Sequence, residues 1–429
     1  MPGIIFTRYD RSPSDDKEPA RAGRTPPDAG SLDRRRLLGG ISALAVTAAA
    51  FPLIGGGQVA AQSTPASTDT AGPVALLGGL LQLVPASLAE NTAGGALYYH
   101  ADLAAQFAAC GVDRSAPDWI TSTNLYSVTA SLALVSAGFQ YAVSPDFETA
   151  LGFQPLNVDR ALEIGGPPNA LSIYQGGLDR AKLEAAWRAT GFQQVALGGG
   201  AVLWTLGEEG EIDTNSPIVA FGAGAFNNLL LLDDQTLLVA RMGAVIRSVI
   251  SRAAGDASVG RIAGVQEALA AFSPTVVSSI GLNGSALTRS PRPGAAATPV
   301  VTGAMPAISL AFFGVEAGAR GEIDATGATP VAGAPSGDAG ASAKVEVRLV
   351  TASRSDAETA AATASTRWET MQSQVTNQPF SALMTLEASG VSAESETVAT
   401  LDFASGPMPG RWIQLVAMQD LAPFAPGGS

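Results

Sequence analysis

The side chains best placed to do chemistry lie in the run 208–215, where Glu209, Glu211, Asp213 and Asn215 put an oxygen-bearing group at every second residue. A hard cation such as Ca²⁺ accepts several carboxylate and amide oxygens, so Glu209, Glu211 and Asp213 are the candidate metal ligands. The spacing of a helix-loop-helix calcium site is absent, however. An acidic run between two strands ordinarily forms a solvated turn, which is the competing reading.

The one histidine and the one cysteine, His100 and Cys110, raise the idea of a thiol-imidazole pair. Nothing nearby supplies a third group to orient the imidazole, and a strand histidine with a cysteine in an Ala-rich helix reads more simply as core or rim. The glycines at 198–200 sit between two strands and no Lys-Ser/Thr follows them, so they make a turn and not a phosphate cradle. Gly-x-Ser-x-Gly and Ser-x-x-Lys are absent after the N-terminal segment, removing the readable serine-hydrolase signatures. Tyr98, Tyr99, Trp119, Tyr126 and Tyr141 concentrate aromatics in one segment, where packing is the commoner use and a ligand surface the alternative. No catalytic residue is nominated.

Composition narrows the classes further. With 25 Lys and Arg against 38 Asp and Glu, the 429-residue chain carries a net charge of -13, a field that repels phosphate backbones. Nucleic acid is not an expected partner. Single His and Cys residues cannot form the clusters that zinc, copper, haem and iron-sulfur centres need, so no cofactor is expected unless it is organic or held by oxygen. One cysteine also excludes an intramolecular disulfide framework. The hydrophobic content of 46% is ample for cores of ordinary domains.

Residues 1–33 are polar and rich in Pro, Asp and Arg, as a disordered leader would be. Arg34 and Arg35, followed by Leu37 and Leu38, then open an apolar stretch over 37–54 that ends near Val59, Ala60 and Ala61, a small-residue cleavage pattern. This segment resembles a twin-arginine export signal, although Asp33 stands where Ser or Thr commonly precedes the pair and Leu37 where Phe is frequent. The resemblance covers about the first 61 residues and implies transport of a folded protein, with transient contact to the membrane and export machinery. The alternative is an uncleaved anchor at 37–54, weakened as a span by Gly39, Gly40, Pro52 and the glycines at 55–57. Cleavage after 61 would remove eight basic and six acidic residues and leave 17 against 32, net -15. Residues 62–73 then read as a Ser, Thr and Pro linker.

The elements that position these residues form an α+β pattern. The clearest stretch is 170–250, where a hairpin at 160–175 leads into a helix capped by Asp179, with Leu183, Ala186 and Trp187 on one face and Gly191 as its stop. Hairpins follow at 195–206 and 229–240, then an amphipathic helix through Val245, Ile246 and Val249. Earlier, a helix is predicted over 76–88, a strand over 96–101, a helix from Asp102 to Cys110, another from 117 toward 134 and a short one over 147–151. A helix at 265–272 and a strand at 275–282 close a first domain, 74–284. A second domain, 307–429, follows a linker at 285–306 and has strands at 307–313, 344–351 and 398–403. It adds a long helix opened by Ser355 and Glu358, a terminal helix at 411–421 and a mobile insertion at 317–342. The recurring strand-then-helix order suggests two ferredoxin-like or related sheet-plus-helix modules, related by a weak internal duplication. Unrelated strand orders in 160–255 and 307–421 would defeat that idea. The chain is therefore expected to be an exported, non-catalytic binding or structural protein of the cell surface, its partner a protein or small-molecule ligand. An extracytoplasmic enzyme or solute-binding protein with an oxygen-ligated metal or organic cofactor is the alternative.

Overall fold

A computed structural model describes residues 72–426, leaving aside 91–94, 117, 124, 135–136, 217, 223, 253–256, 288–303, 319–342 and 407–409. The leader, the export segment and nearly all of the expected linker and insertion lie outside the described residues.

All the described strands join one antiparallel sheet. In chain order they are β1 (Ala96–Asp102), β2 (Arg160–Ile164), β3 (Leu171–Gln175), β4 (Gln193–Ala196), β5 (Val202–Thr205) and β6 (Asn228–Leu231). The remainder are β7 (Thr236–Ala240), β8 (Val276–Asn283), β9 (Leu310–Glu316), β10 (Lys344–Val350), β11 (Thr385–Val391) and β12 (Val398–Ala404). Across the sheet the order is β11-β12-β10-β9-β8-β1-β2-β3-β7-β6-β5-β4. The α+β class is as expected, but the two halves are not separate ferredoxin-like modules. β8 and β9 flank the expected linker and pair with each other from Val276 to Asn283, so the sheet runs unbroken across the junction.

The halves nonetheless share one order. Outward from the central antiparallel pair of β1 and β8, one side reads β1-β2-β3-β7-β6 and the other β8-β9-β10-β12-β11. Helices follow the same plan: α1 (Pro73–Leu83) precedes β1 as α9 (Ala263–Ala270) precedes β8, and α3 (Leu103–Ala109) follows β1 as α10 (Gly284–Leu287) follows β8. The cover helix α7 (Arg180–Thr190) follows β3 as α11 (Arg354–Thr370) follows β10. The regions 160–255 and 307–421 thus have corresponding strand orders, the first carrying the additional hairpin of β4 and β5.

Alternation along the strands sends side chains to opposite faces. One face packs Tyr98, Leu162, Ile173 and Phe312 under α1, α9 and α8 (Gly243–Ile250). The other carries two clusters, one beneath α7 and one beneath α11. In the first, Trp187 is fully buried, stacks edge-on to Trp204 at 5.5 Å and donates its indole N–H to the Leu151 carbonyl at 2.9 Å. In the second, Trp368 lies between Phe403 at 4.5 Å and Phe380 at 5.1 Å, donating to the Met384 carbonyl at 3.0 Å. Each tryptophan buries its large apolar body while its polar tip finds a carbonyl, so neither leaves a costly orphan.

Local signals explain most boundaries. The Asp102 carboxylate accepts the Ala105 N–H and starts α3, and Asp179 does the same for Lys182 at α7. Gly191 adopts φ +99°, which an L side chain resists, and the Phe192 N–H returns to the Trp187 carbonyl at 3.0 Å. Other expectations need correction. The helix predicted over 76–88 breaks at Val84 and Pro85, since proline brings no N–H to the ladder; α1 ends at Leu83 and α2 is Ala86–Glu90. The helix predicted from 117 to 134 is two short turns, α4 (Trp119–Ser122) and α5 (Leu125–Thr129), before α6 (Pro145–Leu151). The long helix is capped by Ser353, whose hydroxyl accepts the Asp356 N–H at 3.1 Å, not by Ser355. Glu358 instead pairs with Arg354 at 3.1 Å. After α11 come α12 (Phe380–Leu383) and the edge strand β11, which the sequence reading lacked, and α13 (Arg411–Ala417) is the last of the described α-helices.

Candidate functional site

The acidic run does not converge. Glu209 accepts the Ala244 N–H at 2.7 Å and pairs with Arg247 at 2.7 Å, pinning the start of α8 and holding its own carboxyl below the usual range. Glu211 turns back to the Glu208 N–H, and Asp213 accepts the Asn215 N–H at 2.8 Å. Among the described residues no group of three His, Cys, Asp or Glu side chains could hold a metal ion.

His100 and Cys110 are also kept apart. His100 faces its cross-strand neighbours Leu162 and Ser279 on the side of the sheet covered by α1 and α9. Cys110 ends α3 on the opposite side, among Phe107, Ala101 and Trp119. Neither ring nitrogen of the buried His100 has a hydrogen-bond partner. Desolvation, reinforced by the nearby Arg160 cation, pushes its pKa down to about 3, so it is neutral at ordinary pH.

The aromatic residues divide in the same way. Tyr98 is buried with Ser279 and Phe312, while Tyr99 points to the other face opposite Glu163. Trp119 packs on Phe107 at 5.2 Å and Tyr141 on Phe221 at 5.2 Å; the side chain of Tyr126 lies outside the described residues. Glu163 retains some exposed surface, yet protein surrounds its carboxyl closely enough that desolvation lifts its pKa to about 7. Ser172, at 3.5 Å, supports the charged form only weakly.

Paired charges elsewhere do structural work. Arg348 donates to Asp402 at 2.8 Å, to the Ala271 carbonyl at 2.8 Å and to Glu346, and lies over the Phe272 ring. Glu346 accepts the Ser273 N–H at 3.0 Å, so the network clamps the turn after α9 to the sheet. Burial nevertheless raises the Glu346 pKa against the pull of Arg348.

A concave feature lies at one end of the sheet, on the α9 face. Pro85 bridges to Ser258, the Ala86 N–H bonds the Ala257 carbonyl, and the Val259 N–H bonds that of Val84, tying α2 beside the start of α9. α9 then approaches the strand ends closely. A Cβ on Gly264 would lie 3.0 Å from Leu310 and 3.2 Å from Val350, so glycine sets how deeply the helix sits. The result is an open cleft of about 470 Å³. Its apolar lining comes from Ala86 and Ala89 of α2, Leu97, Leu310 and Val350 of the sheet, and Ile262.

Polar atoms are placed at fixed points of this cleft. Thr351 and Ser309 spend their hydroxyl protons on the backbone carbonyls of Thr397 and Val350. The Thr397 hydroxyl donates to Glu267 Oε2 at 2.6 Å. Glu267 is the one ionisable side chain in the lining among the described residues, and it takes part in no ion pair there. None of these residues stood out in the sequence, because Glu267 is one carboxylate in an ordinary helix and Ser309, Thr351 and Thr397 come from three distant segments.

The export residues Arg34, Arg35, Leu37 and Leu38, and the cleavage residues Val59 and Ala61, lie outside the described residues. No described helix is long and apolar enough to cross a membrane. No family model and no curated protein matches the chain. Among solved structures it is similar to one titled "Structure of crystal form III of TP0453", with TM-score 0.32 and 8% identity over 78% of this chain and 97% of that one.

Proposed function

We propose that the chain is an exported, non-catalytic binding protein of the cell surface whose small ligand seats in the cleft between α2, α9 and the end of the sheet. The cleft itself carries this reading. Its size is in the usual range for small-molecule sites, and its lining combines apolar surface with a few fixed polar groups. Glu267 is its lone ionisable side chain among the described residues, whereas proton transfer between two groups needs a second one in reach. Such a lining is suited to holding a ligand. The arginine pair Arg34-Arg35 and the apolar stretch after it support export, by cleavage near Ala61 or by retention through 37–54.

Two experiments test the reading. A Ala263→Trp variant places a large ring in the cleft from an exposed position at the start of α9, and should abolish ligand-induced thermal stabilisation in a small-molecule screen while leaving the unliganded melting temperature unchanged. Hits that stabilise the parent and the variant equally would place binding elsewhere. Residues 1–61 fused to a reporter should cross the membrane, and Arg34→Lys with Arg35→Lys should retain the reporter inside the cell; continued export would remove the twin-arginine reading.

A further inference from the structure

We infer that the cleft selects a primary ammonium carried on a short apolar body, an inference that rests on the cleft reading above and adds the ligand's chemistry. The cleft offers one full charge, Glu267, and no cation of the protein pairs with it among the described residues. One oxygen of that carboxylate, Oε2, already accepts the Thr397 hydroxyl at 2.6 Å, and the Ser395 hydroxyl stands 3.0 Å behind Thr397 in the same chain. Oε1 is left as the available acceptor.

A single acceptor oxygen matches a compact point charge. A guanidinium presents a planar fork that is best met by two oxygens side by side, so the ammonium is the better fit. An anion would meet the unpaired carboxylate and the field of a chain whose net charge is -13. The remaining wall supplies the apolar contact: Leu97, Leu310 and Val350 from the strand ends, with Ala86 and Ala89 opposite. A hydrocarbon body that leaves water there gains in proportion to the area covered. The start of α9 also borders the cleft, and its dipole opposes a cation with about half a unit charge, less than the full charge of Glu267.

The test is a titration of the intact exported chain with hexylammonium, hexylguanidinium, hexanol and hexanoate, followed by calorimetry and by chemical shifts. Hexylammonium should bind at least about tenfold more tightly than hexanol, as expected for a charge-assisted hydrogen bond in a partly desolvated site. Hexylguanidinium should fall between them, and hexanoate should not bind. Glu267→Gln should bring hexylammonium down to the level of hexanol, and Ala263→Trp should remove both. Equal affinity for hexylammonium and hexanol, or a preference unaffected by Glu267→Gln, would overturn the inference while leaving cleft binding intact. Failure of all four probes, or binding insensitive to Ala263→Trp, would overturn the cleft reading as well.

Discussion

His100 and Glu163 should tilt the stability of the protein with pH in opposite directions. His100 has a folded pKa lowered from 6.5 to about 3, so the stability it contributes is fully present above pH 6.5 and is lost as the pH falls toward 3. Glu163 has a folded pKa raised from 4.5 to about 7, so its contribution is fully present below pH 4.5 and is lost as the pH rises through 7. Each uncompensated proton changes the unfolding free energy by about 1.4 kcal/mol per pH unit. Between pH 4.5 and 6.5 the two slopes oppose each other, and the His100 slope is the steeper because solvent at Glu163 weakens its share.

Single variants should expose each slope. Relative to the parent, His100→Leu should gain about 2 kcal/mol as the pH falls from 6.5 to 4.5, because the unfolded variant no longer takes up that proton. Glu163→Gln should gain on the parent as the pH rises from 4.5 to 7. Solvent at the exposed side of Glu163 reduces its effect to roughly 1–2 kcal/mol. Urea unfolding followed by tryptophan fluorescence at several pH values measures both differences, and subtraction cancels the other titrating groups. If the difference between His100→Leu and the parent is the same at pH 4.5 and 6.5, the argument that burial keeps His100 neutral is wrong.

Three further outcomes follow from the packing. Trp368→Ala should cost about 3–5 kcal/mol, since it empties a site between two phenylalanine rings and orphans the Met384 carbonyl, and thermal melting reads it. Ser353→Ala should cost about 1 kcal/mol while Ser355→Ala is nearly neutral, a comparison by urea unfolding that locates the true cap of α11. The parent, like Glu211→Ala with Asp213→Ala, should melt identically in calcium and in chelator; a calcium-dependent gain in the parent alone would restore the acidic run as an ion site.

Local chemistry was legible in the sequence wherever a boundary is set by neighbours in the chain. Asp179, Gly191 and Phe192 define α7 through contacts within a few residues, so pattern and structure agree there. β11 was missed because it is an edge strand: Thr385, Glu387 and Ser389 are solvent-exposed, leaving no alternation to detect. Ser353 and Ser355 both have an acid three residues on, Asp356 and Glu358, and the sequence does not say which backbone N–H groups are left unbonded at the start of α11. Joining of the halves depends on the pairing of β8 with β1 and β9, which is long-range and invisible to periodicity. The cleft has the same character, since Ala86, Glu267, Leu310 and Thr397 meet only after the sheet has formed.

The central claim is that this cleft holds a small ligand on an exported protein. Native mass spectrometry of the chain purified from its own host tests that most directly, with the Ala263→Trp variant beside it. The parent should carry a discrete small organic mass that is absent from the variant. Bare polypeptide mass in the parent, or the same adduct on both proteins, would contradict it.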